Sequence, residues 1–156
     1  MHAWAPMRFS LQVQYAICGS FDIAYNGGGA PVQIRVISER QAIPARYLEQ
    51  IFQRLRRAGL VLSKRGPGGG YTLARAPEEI SLREIIEALE GPLSEGLEMD
   101  PPDDSSEGVF RPSFVWGVVA EQLAGALSEI SLDALCKQAV RENLRRAHPD
   151  APMYFI

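Results

Sequence analysis

The segment Arg65-Gly-Pro-Gly-Gly-Gly-Tyr71 constrains this chain more than any other. Glycine and proline concentrated over so few residues mark a tight turn. Strand-like runs flank it, Leu60-Val61-Leu62-Ser63-Lys64 before and Tyr71-Thr72-Leu73-Ala74-Arg75 after. A helical pattern rich in arginine comes directly before the first run. Two short strands joined by a basic glycine turn, straight after such a helix, form the wing of a winged helix-turn-helix. That arrangement sets a cationic finger beside a helix that fits a DNA groove.

Charge supports the same reading. The sequence has 156 residues and a net charge of −3, which hides a strong asymmetry. From Arg35 to Arg75 nine basic side chains face two acidic ones, Glu39 and Glu49. From Ala76 to Phe110 eleven acidic side chains face Arg83 alone. Such a division within a small chain points to a surface built for a polyanion. The plain alternative is two solvated faces that differ in composition.

The pattern gives six helices. Ser10 to Asn26 repeats apolar residues near the helical period and stops at Gly27-Gly28-Gly29. Pro31–Gln33 is extended and leads into a second helix, Ile34 to Gln41. Pro44 suits the first position of a third helix, which runs to Ala58 with Gly59 as its cap. Leu48, Ile51, Phe52 and Leu55 make its inner face, and its outer face carries Arg46, Tyr47, Glu49, Gln50, Gln53, Arg54, Arg56 and Arg57. Ser81-Leu82-Arg83-Glu84 is a capping box for a fourth helix ending at Glu90-Gly91-Pro92. Ser113 caps a fifth helix reaching Ile130. That helix is apolar over most of its circumference, so a second subunit is the simplest cover. Ser131 caps a sixth, Leu132 to Ala147, whose terminal Arg141, Arg145 and Arg146 suit its own dipole.

The expected organisation is therefore a mainly α chain with a small β-wing. Residues 1–6 are an N-terminal extension, 7–91 the winged helix-turn-helix domain, 92–112 an acidic loop, 113–147 the dimerisation helices and 148–156 a tail. No apolar run approaches the roughly 20 residues that span a bilayer. Met1 to Pro6 lacks the order of a signal peptide, so the expected location is the cytoplasm. Two cysteines, Cys18 and Cys136, and two terminal histidines leave no metal-site spacing. Each cysteine reads either as a small buried hydrophobe or as half of a thiol switch between subunits.

Four runs together resemble the IscR/NsrR/CymR family of bacterial winged-helix regulators. They are Ile37-Ser38-Glu39-Arg40-Gln41-Ala42-Ile43-Pro44, Tyr47 to Phe52, Leu55 to Val61 and Arg65 to Leu73. The likeness extends more weakly from Met7 to about Ala147. It implies a homodimer built around the helix Ser113–Ile130. It also implies that the helix Pro44–Ala58 enters the major groove while the wing touches the minor groove. Arg46, Tyr47 and Glu49 would then face the major groove and Arg65 the minor groove. Chemistry agrees, since arginine favours a narrow minor groove, and glutamate accepts from cytosine. The full expected contact set adds Gln50 and Arg54 on the helix and Lys64, Gly66 and Gly68 on the wing.

The resemblance breaks in one place. Many members hold a [2Fe–2S] cluster with three cysteines in the loop after the fourth helix and a fourth ligand near Ser113. Gly91 to Pro112 contains neither cysteine nor histidine, so no cofactor is expected. Ser10 to Tyr15 also lacks the basic residues usual there. The function expected is a homodimeric repressor on a two-fold symmetric DNA operator, its effector unspecified. Two other readings compete. One is a winged-helix protein-interaction module acting through the acidic loop. The other is an enzyme with the glycine loop as a phosphate cradle, which the absence of GxxxxGK[ST] order disfavours.

Overall fold

The computed structural model describes residues 7–97 and 111–150. The N-terminal extension, residues 98–110 of the acidic loop and residues 151–156 of the tail lie outside the described residues. Helix α1 spans Leu11–Asn26, with the Ser10 hydroxyl accepting the Val13 N–H at 3.3 Å. Helix α2 spans Ile34–Gln41 and α3 spans Ala45–Arg57. Strands β1 (Val61–Lys64) and β2 (Gly70–Leu73) pair antiparallel, Val61 opposite Leu73 and Lys64 opposite Gly70. Helix α4 follows at Leu82–Glu90, then α5 at Phe114–Ser128 and α6 at Leu132–Arg141. Among the described residues, six α-helices and one β-hairpin make a mainly α fold with a wing, as the pattern requires.

Fully buried apolar side chains at the helical spacing build the core. Ala16 and Ile23 of α1, Ile37 of α2, and Leu48, Phe52 and Leu55 of α3 are sealed from solvent, with Leu132 of α6 closing one end. A smaller cluster joins Val13, Ile86, Leu93, Ala124 and Leu127, where α5 rests on α4 and on a 3-10 turn at Leu93–Glu95. The backbone ties the two halves together as well. Leu82 N–H donates to Ile130 O at 2.8 Å and Leu132 N–H to Ile80 O at 2.9 Å.

Local signals set most helix ends. The capping box at α4 is complete: Ser81 accepts from Glu84 N–H, and the Glu84 carboxylate accepts from Ser81 N–H. Helix α3 closes with Leu60 N–H donating to Leu55 O and Gly59 N–H to Arg56 O, the paired bonds of a Schellman motif. Several expectations need correction. Pro44 precedes α3 rather than opening it, because its ψ of 130° is extended. Ser113 does not cap α5 through its side chain, since it already has helical backbone angles. Helix α5 stops at Ser128 rather than Ile130. Helix α6 stops at Arg141 instead of reaching Ala147. Asn143 takes the left-handed conformation at φ 56°, and Leu144 N–H returns to Ala139 O at 2.9 Å. Arg145 and Arg146 therefore leave the helix axis, and the dipole no longer accounts for them.

Among the described residues, no helix is long and apolar enough to cross a membrane.

Candidate nucleic-acid interface

Burial of Leu48, Ile51, Phe52 and Leu55 fixes the rotation of α3 about its axis. Arg46, Tyr47, Glu49, Gln50, Gln53, Arg54, Arg56 and Arg57 are thereby turned outward, and all are exposed. The Arg46 guanidinium lies 4.8 Å from the centre of the Tyr47 ring and donates to its hydroxyl at 3.2 Å. Stacking and one hydrogen bond restrict the arginine while leaving most of its donors open. Tyr15 of α1 approaches the same ring, with centroids 6.2 Å apart. Arg54 braces three elements, donating to Gln12 Oε1 on α1 at 3.0 Å and to the Leu89 carbonyl on α4 at 3.2 Å.

The wing is held as firmly as the helix. Val32 forms a two-way bridge with Tyr71, its N–H donating at 2.9 Å and its carbonyl accepting at 2.8 Å. The approach is so close that a Cβ on Gly70 would stand 2.4 Å from Val32 O. Tyr71 also packs on Phe52, ring centroids 4.9 Å apart, so wing and α3 share one aromatic anchor. At the tip, Gly66 and Gly68 have φ of 88° and 72°, a region that side chains strain to enter. Lys64, Arg65, Gly66 and Gly68 are all exposed there.

Structure refines the charge count. Arg35 pairs with Glu39 at 2.8 Å, Arg40 with Asp22 at 2.6 Å and Arg75 with Glu84 at 2.6 Å. The cations of this block without an ion pair among the described residues are Arg46, Arg54, Arg56, Arg57, Lys64 and Arg65, every one on α3 or the wing. The raw sum overstated the field, but the remainder lies where the pattern placed it.

Sequence reasoning missed the α1 contribution. Gln12 and Tyr15 support the outer face of α3, yet no spacing signal links them to it. It also missed Asp22, whose side chain is fully buried. This carboxylate accepts from Arg40 Nε at 3.1 Å, Arg40 Nη2 at 2.6 Å, Gln41 Nε2 at 2.9 Å and Asn26 Nδ2 at 3.1 Å. A buried charge is tolerated only with such saturation, and here it fixes α2 on α1.

The cysteines differ from each other. Cys136 is buried, and desolvation, helped by the nearby Asp133 charge against that of Arg146, pushes its thiol up to about 12. Cys18 is exposed, which corrects the expectation of a buried hydrophobe there; the apolar surface against it raises its pKa too. Neither carries the lowered pKa of a reactive thiol.

Comparison with known proteins gives the family. The model for Rrf2, described as an iron-dependent transcriptional regulator, matches residues 9–138. This chain belongs to the Rrf2 family. The HTH-type transcriptional regulator IscR of Cronobacter sakazakii is 35% identical over 146 residues, covering 93% of this chain and 90% of that protein. The Escherichia coli IscR is 36% identical over 148 residues, covering 94% and 91%. Among solved structures, T. potens IscR aligns with a TM-score of 0.69 at 33% identity, over 91% of this chain and 95% of that one. CymR, the global cysteine regulator of B. subtilis, aligns at 0.68 and 29%, over 85% and 98%. The chain is thus an IscR/CymR-like, DNA-binding transcription regulator of winged-helix type, and its relatives are regulators rather than enzymes.

Iron in this family raises the question of ligands. The only cysteines stand on α1 and α6, and residues 91–112 hold neither cysteine nor histidine. Among the described residues no group of three or more His, Cys, Asp or Glu side chains could hold a metal. A cluster carried by four thiolates does not fit this donor set.

Proposed function

We propose that this Rrf2-family regulator is a homodimeric repressor that grips a two-fold symmetric operator in the cytoplasm without a cysteine-held iron–sulfur cluster. The observation that carries the reading is the segregation of unpaired cations. Three acid–base pairs absorb the other arginines of the block, and what is left faces outward from α3 and the wing. In this reading Arg46, Tyr47, Glu49 and Gln50 work in the major groove. Lys64 and Arg65 follow the minor groove, with Gly66 and Gly68 letting the wing backbone come close. Arg54 braces α3 and offers its remaining N–H groups to a phosphate.

Helix α5 supports the dimer. Phe114 is 72% exposed and Val118 53%, with Val115, Trp116 and Val119 also open to solvent on this one chain. Only Ala120, Ala124 and Leu127 of α5 are buried within it. A contiguous apolar face of this kind calls for a partner, and a second α5 is the symmetric choice.

Selection of bound duplexes from a random pool tests the proposal. An inverted repeat with half-sites about 10 base pairs apart, holding two protomers, is the expected product. Transcription in vitro from a promoter overlapping that site should fall when the protein is added. Asymmetric sites bound by single chains, or a rise in transcript, would contradict it.

A further inference from the structure

Away from the duplex-facing surface, a groove of about 530 Å³ runs between the C-terminal ends of α1 and α2 and the chain that follows α6. That volume lies within the range of small-molecule sites, about 300–1,000 Å³. Three guanidiniums line it, those of Arg40, Arg145 and Arg146. Asp22 answers the charge of Arg40 from below. Arg145 is exposed and makes no hydrogen bond or ion pair among the described residues. Along one wall Phe21 and Tyr25 stack with centroids 5.0 Å apart and planes 22° apart, and Arg146 lies over the Tyr25 ring at 5.6 Å.

The groove joins two bodies. The helix-turn-helix supplies Gln41, the last residue of α2, and the turn at Ala42 (φ 54°) that follows it aims α3. The segment after α6 supplies the opposite wall. It is held to α1 by Tyr25 Oη donating to Leu144 O at 2.6 Å and by Ala147 N–H donating to Asn26 Oδ1 at 2.7 Å. Asn26 and Gln41 each give a side-chain N–H to Asp22, so the polar floor is already ordered.

We propose that this groove binds a small organic anion, a carboxylate or phosphate ester with an apolar body, and that its occupancy is coupled to DNA binding. A planar guanidinium presents paired donors to either headgroup, and the half-buried Phe21 ring, backed by the buried Tyr25, accepts the apolar part. A ligand touching both walls stiffens the link between the C-terminal segment and α2, hence the setting of α3. The coupling rests on the DNA-binding function above; the binding itself does not.

The test is an NMR titration of the full-length, nitrogen-15-labelled protein without DNA, using phenyl phosphate, benzoate and inorganic phosphate as probes. Saturable shifts are expected at the Asn26 and Gln41 side-chain amides and at Arg145 Nε. Phenyl phosphate or benzoate should bind about threefold or more tightly than inorganic phosphate, because apolar surface is buried. The tighter of the two names the headgroup. Arg145→Gln, which removes no internal contact, should weaken the better probe about tenfold with an unchanged melting temperature. The saturating probe should shift the Kd for DNA by the factor with which DNA shifts the Kd for the probe. Absence of saturable shifts up to about 10 mM overturns the site, as does equal binding by Arg145→Gln. A loss of DNA affinity in Arg145→Gln with no probe present also overturns it, assigning the arginine to backbone phosphates. Probe binding that leaves the Kd for DNA unmoved overturns the coupling. Because the titration contains no DNA, failure of the operator reading leaves its result standing.

Discussion

Helices α3 and α5 solve opposite problems. Helix α3 buries four apolar side chains in its own chain and turns its charges out. Helix α5 buries three and turns its large apolar side chains out. The first is finished as a folded element and unfinished electrostatically. The second is unfinished hydrophobically. A surface records the kind of partner it lacks, a polyanion in one case and an apolar surface in the other.

The largest effect expected is at the inner face of α3. Phe52→Ala removes a fully buried ring that anchors both α3 and Tyr71 of the wing. It should cost about 3–5 kcal/mol in urea unfolding. A loss below about 1 kcal/mol would mean that the shared anchor does not exist. Helix α5 should give a different signature. Val119→Asp, at a position 42% exposed on the single chain, should leave helix content intact by circular dichroism. Self-association measured by sedimentation should weaken by about 2 kcal/mol or more, since a charge enters an apolar contact. Loss of fold together with loss of dimer would erase the contrast between the helices.

Those predictions also show what the sequence made legible. The α3 face, its Gly59 cap, the capping box at Ser81 and the glycine turn are local signals, written within a few residues, and the structure bears them out. The end of α6 was missed because an asparagine in left-handed backbone is only weakly marked against the helical pattern around it. Asp22 was missed because three of its four donors come from the end of another helix, Arg40 and Gln41 of α2, and a carboxylate on a helix otherwise reads as solvent-facing. The same long-range pairing removed Arg40 and Arg75 from the free basic surface. Cys18, read as either a small buried hydrophobe or half of a thiol switch, is exposed because it falls off the buried stripe of Val13, Ala16 and Ile23.

The wing should respond more gently. Arg65→Ala should leave stability unchanged, weaken operator binding about tenfold, and lower the salt slope by about one. Loss of binding without a change in slope would remove the arginine from the phosphate and minor-groove role. Ser81→Ala should cost about 1 kcal/mol by opening the capping box. At the same site the Glu84 carboxyl feels burial, which raises its pKa. The Arg75 guanidinium and the Ser81 N–H outweigh it and hold the value below the ordinary range. Its stabilising contribution is therefore complete above the ordinary glutamate pKa of about 4.3 and disappears as pH falls through the lower folded value. Glu84→Gln should flatten that part of the acid-unfolding curve; an unchanged curve would show the pair to be idle.

The central claim is that the cations left unpaired on α3 and the wing hold a duplex in two symmetric copies. The salt dependence of binding to the selected operator, followed by fluorescence anisotropy, tests it most directly. Each phosphate neutralised contributes a slope of about −0.9 in log K against log salt. Two copies with several such contacts each should give a steep decline, with two protomers bound per duplex. A slope near zero, or no binding even at low ionic strength, would contradict the account.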